Sequence, residues 1–179
     1  MSSIIRVNDI QDAGGNSIVS SNGSGTFSNN LGIANTPMFF AHSVTGQSVS
    51  SSTWTKITLA TEIVDSDSSF ADSKFIVPSG KAGKYMFQGS LNTYGNNDVI
   101  RVQCAIYKNG SVLAATYNFI TSTDQDGRHI TADIRTIDDA SVGDYYEIYG
   151  YIQGSTPQFS HDGATPRSTN FLGYRFIGA

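Results

Sequence analysis

The sequence predicts an all-β fold of Greek-key or jelly-roll type, on three observations. No segment carries the helical 3.6-residue apolar repeat, whereas about eight to ten short alternating stretches follow one another at roughly 8–12-residue spacing, with turn residues between them. Charged residues are 15% of the chain against roughly 25% in an average globular protein, while glycine occurs 18 times and aromatics reach 11%. The best-defined strand, Gly143 to Ile152, puts Tyr146, Ile148, Gly150 and Ile152 on one face, suited to a core, and Tyr145, Glu147, Tyr149 and Tyr151 on the other. That second face is too aromatic for plain solvent and reads as a contact surface. The alternative is that the tyrosines cover an edge of the sandwich.

In chain order, residues 1–36 read as an N-terminal arm and 37–179 as the β body. The arm holds two short strand patterns, around Ile4–Ile10 and Ile18–Val19, separated by Asp12-Ala13-Gly14-Gly15-Asn16 and followed by a Ser/Gly/Asn tract. Its apolar content cannot support a core, so it is expected to need a partner to be ordered, with Ile5, Val7, Ile10 and Ile18 as attachment candidates. Extended, about 30 residues reach ~100 Å, and the alternative is a disordered linker.

In the body, Met38–Ala41, Trp54–Leu59, Glu62–Asp65 and Phe75–Pro78 are short strands. Lys84–Leu91 and Val99–Lys108 follow, and Asn109-Gly110 is a strong hairpin signal returning the chain as Val112–Thr121. Ile130–Ile137, the tyrosine-rich strand and Thr169–Gly178 complete the set.

Net charge is −4, with 11 basic and 15 acidic residues in no long runs, which argues against nucleic acid as a partner. The single cysteine, Cys104, lies in an apolar strand and reads as a buried thiol. The N-terminus carries no signal-peptide pattern and no stretch approaches the ~18 apolar residues of a membrane span, so synthesis and assembly in a cytoplasm, without membrane insertion, are expected.

Several motifs together resemble the jelly-roll globular head shared by complement C-one-q and tumour necrosis factor: Phe39-Phe40-Ala41, Phe70, Phe75-Ile76-Val77-Pro78, Gly83-Lys84-Tyr85-Met86-Phe87, Lys108-Asn109-Gly110, Val142-Gly143-Asp144-Tyr145 and Thr169-Asn170-Phe171-Leu172-Gly173-Tyr174. They occur in that family's order over about 140 residues, the size of one such domain. The resemblance implies a ten-stranded tumour necrosis factor-like sandwich that assembles as a homotrimer, with Tyr85 and Phe171 at or near the three-fold axis, the alternative for either being ordinary core. Tyr145, Tyr149 and Tyr151 are further candidates for subunit contact. Residues Val7 to Ile18 resemble N-terminal segments of virion proteins from tailed bacteriophages, which implies attachment to the major capsid protein or another virion protein.

No catalytic motif emerges: there is no Gly-x-Ser-x-Gly elbow, and Gly23-Ser24-Gly25-Thr26 lacks the lysine and helix of a phosphate loop. His42, His129 and His161 have no paired ligand spacing, and Asp65, Asp67 and Asp72 lack the ordered spacing of a calcium loop, so neither a metal nor a cofactor is expected.

Strand direction puts the loops Tyr94–Asp98, Ser122–Arg128 and Gly154–Arg167 at one end. Asn96, Asn97, Asp124, Gln125, Arg128, His161, Asp162 and Arg167 are therefore candidates for polar recognition, host-surface glycan included. The expected function is a phage virion structural protein decorating or cementing the capsid. The alternatives are a tail or head fibre or knob, and, remotely, a polysaccharide-acting enzyme using Asp98, Asp126 and Asp162.

Overall fold

The computed structural model describes residues 8–21, 23–24, 36–95, 99–119, 129–160 and 167–176, and the backbone of 27–29. All regular structure there is β, and the chain divides into two compact units, one up to Ala34 and one from Asn35.

The first unit is a three-stranded antiparallel sheet, β1 (Asp9–Gln11), β2 (Ser17–Ser21) and β3 (Phe27–Asn29). None of its described residues is buried, and it is tied by side-chain hydrogen bonds. The Asp12 carboxylate accepts from the backbone N–H of Gly14 at 2.8 Å and of Asn16 at 2.9 Å, closing the first turn. The Asp9 carboxylate accepts from the Ser17 and Ser20 hydroxyls. These bonds, that from Ser17 foremost at Asp9 and that from Asn16 at Asp12, hold both carboxyls below the usual carboxylate range. The third strand, unexpected in a Ser/Gly/Asn tract, forms on the free edge of β2, with Val19 opposite Asn29.

The second unit begins with β4 (Met38–His42), β5 (Gln47–Ser48), β6 (Thr55–Lys56), β7 (Thr61–Asp65), β8 (Phe70–Ala71) and β9 (Lys74–Ile76). It continues with β10 (Gly83–Tyr94), β11 (Arg101–Lys108), β12 (Ser111–Ala115), β13 (Asn118–Phe119) and β14 (His129–Ala140), and ends with β15 (Tyr145–Gln153), β16 (Gln158–Phe159) and β17 (Asn170–Arg175). One sheet runs β14–β10–β17–β4–β7, with β16 and β5 continuing from the Tyr94 end of β10. The other runs β12–β11–β15–β9–β8, with β13 on β11 and β6 on β15. This is the sandwich the alternating patterns predict.

Period 2 is obeyed in the long strands. From β10, Tyr85, Phe87 and Leu91 are fully buried, and from β15, Tyr146, Ile148 and Ile152 meet them from the opposite sheet. Phe87 stacks on Tyr146 with centroids 4.0 Å apart. Phe39 packs on Phe75 at 4.7 Å, on Phe171 at 4.9 Å and on Phe70 at 5.0 Å. The outward residues of β14, His129, Thr131, Asp133, Arg135, Ile137 and Asp139, are exposed, as an edge strand requires.

Two expected strands are shorter than their sequence patterns. Pairing of Trp54–Leu59 with β15 ends with the Ile57 N–H on the Ile148 carbonyl, because the Thr58 N–H turns to Gln47 Oε1 and the Leu59 N–H to Ser73 Oγ, while Ile57 and Leu59 stay buried. Val112–Thr121 is broken after Ala115, where the Thr116 N–H and hydroxyl group engage the backbone of Cys104. Asn109 (φ 52°) and Gly110 (φ 79°) make the predicted tight hairpin, both in the left-handed region such turns demand.

That hairpin is knotted to the β14–β15 turn. Lys108 Nζ donates to Asp138 at 2.6 Å and lies 3.1 Å from Asp144, and Tyr146 Oη donates to Asp138 at 2.6 Å. Asn109 Nδ2 donates to Asp144 at 2.8 Å, and the Ser141 N–H to its other oxygen at 2.9 Å. The Asn109 hydrogen bond first, then Ser141 and Lys108, hold the Asp144 carboxyl below its ordinary range. Burial pulls Lys108 down, but Asp138 and Asp144 outweigh it and its ammonium is held above the usual value. In the β7–β8 turn, Asp65 accepts from the N–H groups of Ser69 and Phe70, both at 3.0 Å, so this aspartate closes a turn.

Two outcomes are expected. A Cβ on Gly173 would lie 2.6 Å from Phe39 and 2.7 Å from Phe87, so Gly173→Ala should cost about 1–3 kcal/mol in urea unfolding. The folded pKa of Asp144 lies below the unfolded one, so its stabilisation is full above the unfolded value, about 3.9, and is lost as pH falls through the folded value. Asp144→Asn should therefore flatten the decline of stability below about pH 4, and an unchanged slope would remove Asp144 from the acid response.

Candidate functional site

The outer faces of the two sheets differ in chemistry. On the β11–β15 sheet the register sets Arg101 opposite Gln153, Gln103 opposite Tyr151, Ala105 opposite Tyr149 and Tyr107 opposite Glu147, all pointing away from the core. Trp54, just before β6, completes the group, because β6 pairs Lys56 with Tyr149. Tyr107 stacks on Tyr149 at 4.0 Å, and Trp54 sits 5.5 Å from Tyr151 and 6.4 Å from Tyr107. Beneath these half-buried rings, Ala105 and Gln103 are closed off from solvent. Gln103 Nε2 donates to the Thr116 carbonyl at 3.0 Å. Burial pushes the Tyr107 and Tyr149 hydroxyls above their ordinary pKa, with Glu147 adding to the effect at Tyr149.

Glu147, expected on this face, is buried and held by Lys56 Nζ at 2.6 Å. At the other end Arg101 lies under three rings, with its guanidinium 4.9 Å from Tyr151, 5.0 Å from Phe119 and 5.4 Å from Tyr117. Phe119 and Tyr117 are 63% and 65% exposed.

The opposite face is more aliphatic. Ile137, Met86, Tyr174 and Met38 form one cross-strand row, and Arg135, Gln88, Leu172, Phe40 and Val64 the next. Ile137 is 61% exposed, and an open cavity of about 360 Å³ is lined by Met86, Arg135, Thr136 and Ile137.

Of the residues singled out in the sequence, Tyr145, Tyr149 and Tyr151 share the outer face of the second sheet. Tyr85 and Phe171 need correction. Both are fully buried inside the sandwich of a single chain, since period 2 turns them inward with Phe87 and Gly173, and neither keeps surface to give to a neighbour. The Tyr85 hydroxyl donates to the Lys81 carbonyl, and burial pushes its pKa up to about 12.

Among the loop candidates Arg167 is exposed, its guanidinium 5.6 Å from the Phe40 ring. Asn96, Asn97, Asp124, Gln125, Arg128, His161 and Asp162 lie outside the described residues, as do Ile5 and Val7 of the arm. The strands flanking those loops do converge, since β10 pairs Tyr94 with both His129 and Gln158. Ile10 is half exposed and Ile18 half buried.

His42 Nδ1 is 3.0 Å from the Ser43 carbonyl and His129 packs on Tyr94, and no cluster of three metal-ligating side chains occurs among the described residues. Arg101, Trp54, Tyr107, Tyr117 and Phe119 escaped the sequence reading as a site. The alternation of Val99–Lys108 already sets Arg101 and Tyr107 against Val102, Cys104 and Ile106, but the pairing that brings them beside Tyr149 and Tyr151 is non-local.

No protein-family model matches the chain, and no curated protein does. Solved structures do, over most of its length. The globular domain of a zebrafish complement 1qA protein superposes with a TM-score of 0.53 at 13% identity, covering 80% of this chain and 98% of that one. Murine APRIL gives 0.54 at 10% identity over 76% and 95% of the two chains, and the Eiger TNF of S. frugiperda 0.59 at 10% over 79% and 93%. At such identities what is shared is the fold: the body is a jelly roll of the complement and tumour necrosis factor type.

Removing Lys56 strands a buried carboxylate. Lys56→Met should cost about 2 kcal/mol, less than in a fully buried pair because the lysine is a third exposed, and adding Glu147→Gln should return most of it. Denaturant unfolding of the two single variants and the double variant measures the coupling.

Proposed function

We propose that this chain is a structural protein of a tailed-bacteriophage virion: a homotrimeric jelly roll mounted by its N-terminal unit, serving as a capsid decoration or cement protein. The observation that carries this reading is the division into a small hydrogen-bonded N-terminal sheet and a jelly-roll body. It joins the likeness of residues Val7 to Ile18 to the leading segments of phage virion proteins. The N-terminal unit contacts the major capsid protein or another virion protein, through Ile10 and Ile18 together with Ile5 and Val7. The body is a binding and assembly module rather than an enzyme.

Self-association uses the outer face of the β14–β10–β17–β4 sheet. Its row of Ile137, Met86, Tyr174 and Met38, with Ile137 and Met38 exposed, has the charge-poor character of subunit interfaces. In a closed three-fold ring this face meets a different surface of the next copy.

The convergence at Tyr94, His129 and Gln158 of the strands that lead into the polar loops favours a second reading, a tail or head fibre or knob whose loops touch a host-surface glycan or receptor.

In sedimentation the chain should run at three times its 19.2 kDa mass, and Ile137→Asp should shift it towards monomer without loss of fold; a stable wild-type monomer at micromolar concentration ends the trimer reading. Cryo-electron microscopy of the particle separates the two mountings. Trimers repeated over the lattice mean decoration, a few at a tail or vertex mean a fibre, and attachment unchanged after removal of residues 1–35 ends the arm's role in either.

A further inference from the structure

We propose that the aromatic outer face of the β11–β15 sheet is a binding site for a carboxylated saccharide, with Arg101 taking the carboxylate and Trp54, Tyr107, Tyr149 and Tyr151 taking the sugar rings. The site starts at the loop end, where Arg101 pairs with Phe119 and Gln153, and runs from there across the sheet; it lies on the other sheet from the Ile137 row and does not depend on how the chain is mounted.

Arg101 is the anchoring observation. Tyr151, Phe119 and Tyr117 flank its guanidinium at 4.9–5.4 Å, and its Nε is buried without a hydrogen-bond partner among the described residues. Like Lys74, Arg135, Arg167 and Arg175, Arg101 has no described carboxylate within 4 Å, and it alone of these lies under three rings. Rings packed over a guanidinium leave the N–H groups in its plane free, and that fork matches the two oxygens of a carboxylate. A cation so placed and so partly desolvated calls for an anion.

The anion is carried by something with flat, amphipathic rings. Tyr149 and Tyr151 stand two residues apart on one strand, with Tyr107 stacked on the first and Trp54 beside the second, so ring faces continue outward from Arg101. From Arg101's partner Gln153 to Tyr145 the strand runs about 25 Å, the length of a short oligosaccharide. Tyrosine and tryptophan each present an apolar body and a polar tip, which suits a pyranose with its apolar C–H face and hydroxyl rim.

An acidic peptide fits less well. β11 is paired on both sides by β15 and by β12 and β13, and β15 by β11 and by β6 and β9, so neither strand offers a free edge along which a peptide could add. Nor does bulk charge attract polyanions, since the net charge is −4. Recognition here is local.

Affinity electrophoresis of the full-length chain in gels containing polygalacturonate, its methyl ester or polyglutamate tests the proposal. Polygalacturonate should retard the protein, and the methyl ester, which keeps the sugar rings but loses the charge, should retard it at least about tenfold less. Arg101→Gln should weaken retention by about tenfold or more, with Arg101→Lys in between. Because Phe119 is 63% exposed, Phe119→Ala cannot disturb the core and guards against misfolding of the arginine variants; it should weaken retention severalfold. The proposal is overturned if polygalacturonate does not retard the wild type, if Arg101→Gln and Phe119→Ala both bind as the wild type does, or if polyglutamate retards the protein as strongly as polygalacturonate.

Discussion

The body depends on the stack of Phe87 on Tyr146. One ring comes from the middle of the first sheet and the other from the middle of the second, and they meet at 4.0 Å in the centre of the sandwich. Tyr146 also reaches past the core: its hydroxyl donates to Asp138 on the first sheet, and Asp138 is shared with Lys108 of the second. One side chain thus fixes both the spacing of the sheets and their relative slide, since the stack resists separation while the hydrogen bond resists shear. Burial, with the neighbouring Asp138 and Asp144 carboxylates, drives the hydroxyl's pKa far up, so it remains a donor well above neutral pH.

Much of this was legible in the sequence because β periodicity is local. Alternation alone sorts Tyr146, Ile148, Gly150 and Ile152 inward and the other tyrosines outward, and Asn109-Gly110 announces its hairpin. The same alternation would have turned Tyr85 and Phe171 inward, since Tyr85 shares parity with Phe87 and Phe171 with Gly173. A role inferred from likeness to other proteins overrode the arithmetic of the chain itself. What was not legible is what depends on register between distant strands. Trp54 lies nearly a hundred residues from Tyr151, and only the pairing of β6 with β15 brings their rings together. The third strand of the N-terminal unit escaped for another reason, because Ser, Gly and Asn signal turns more readily than strands.

The two outer faces give the body a polarity of use. One carries an uncharged row of isoleucine, methionine and tyrosine beside a row that runs from Arg135 and Gln88 to leucine and phenylalanine, and the other carries rings interleaved with an arginine, a glutamine and a paired glutamate. Apolar aliphatic surface gains most by being covered completely, while aromatic surface with polar tips tolerates partial wetting and intermittent contact. A jelly roll can therefore assemble through one side and remain available on the other.

Cys104 gives the molecule a practical property. It is the chain's single cysteine, fully buried with its sulfur beside Gly89, and burial pushes its thiol pKa up to about 12. At neutral pH it is neither a nucleophile nor a ligand for soft metals. The folded protein is thus chemically silent toward thiol reagents, and a cysteine introduced at any exposed site would be its sole point of modification, so a dye, spin label or cross-linker can be attached there without first removing the native residue.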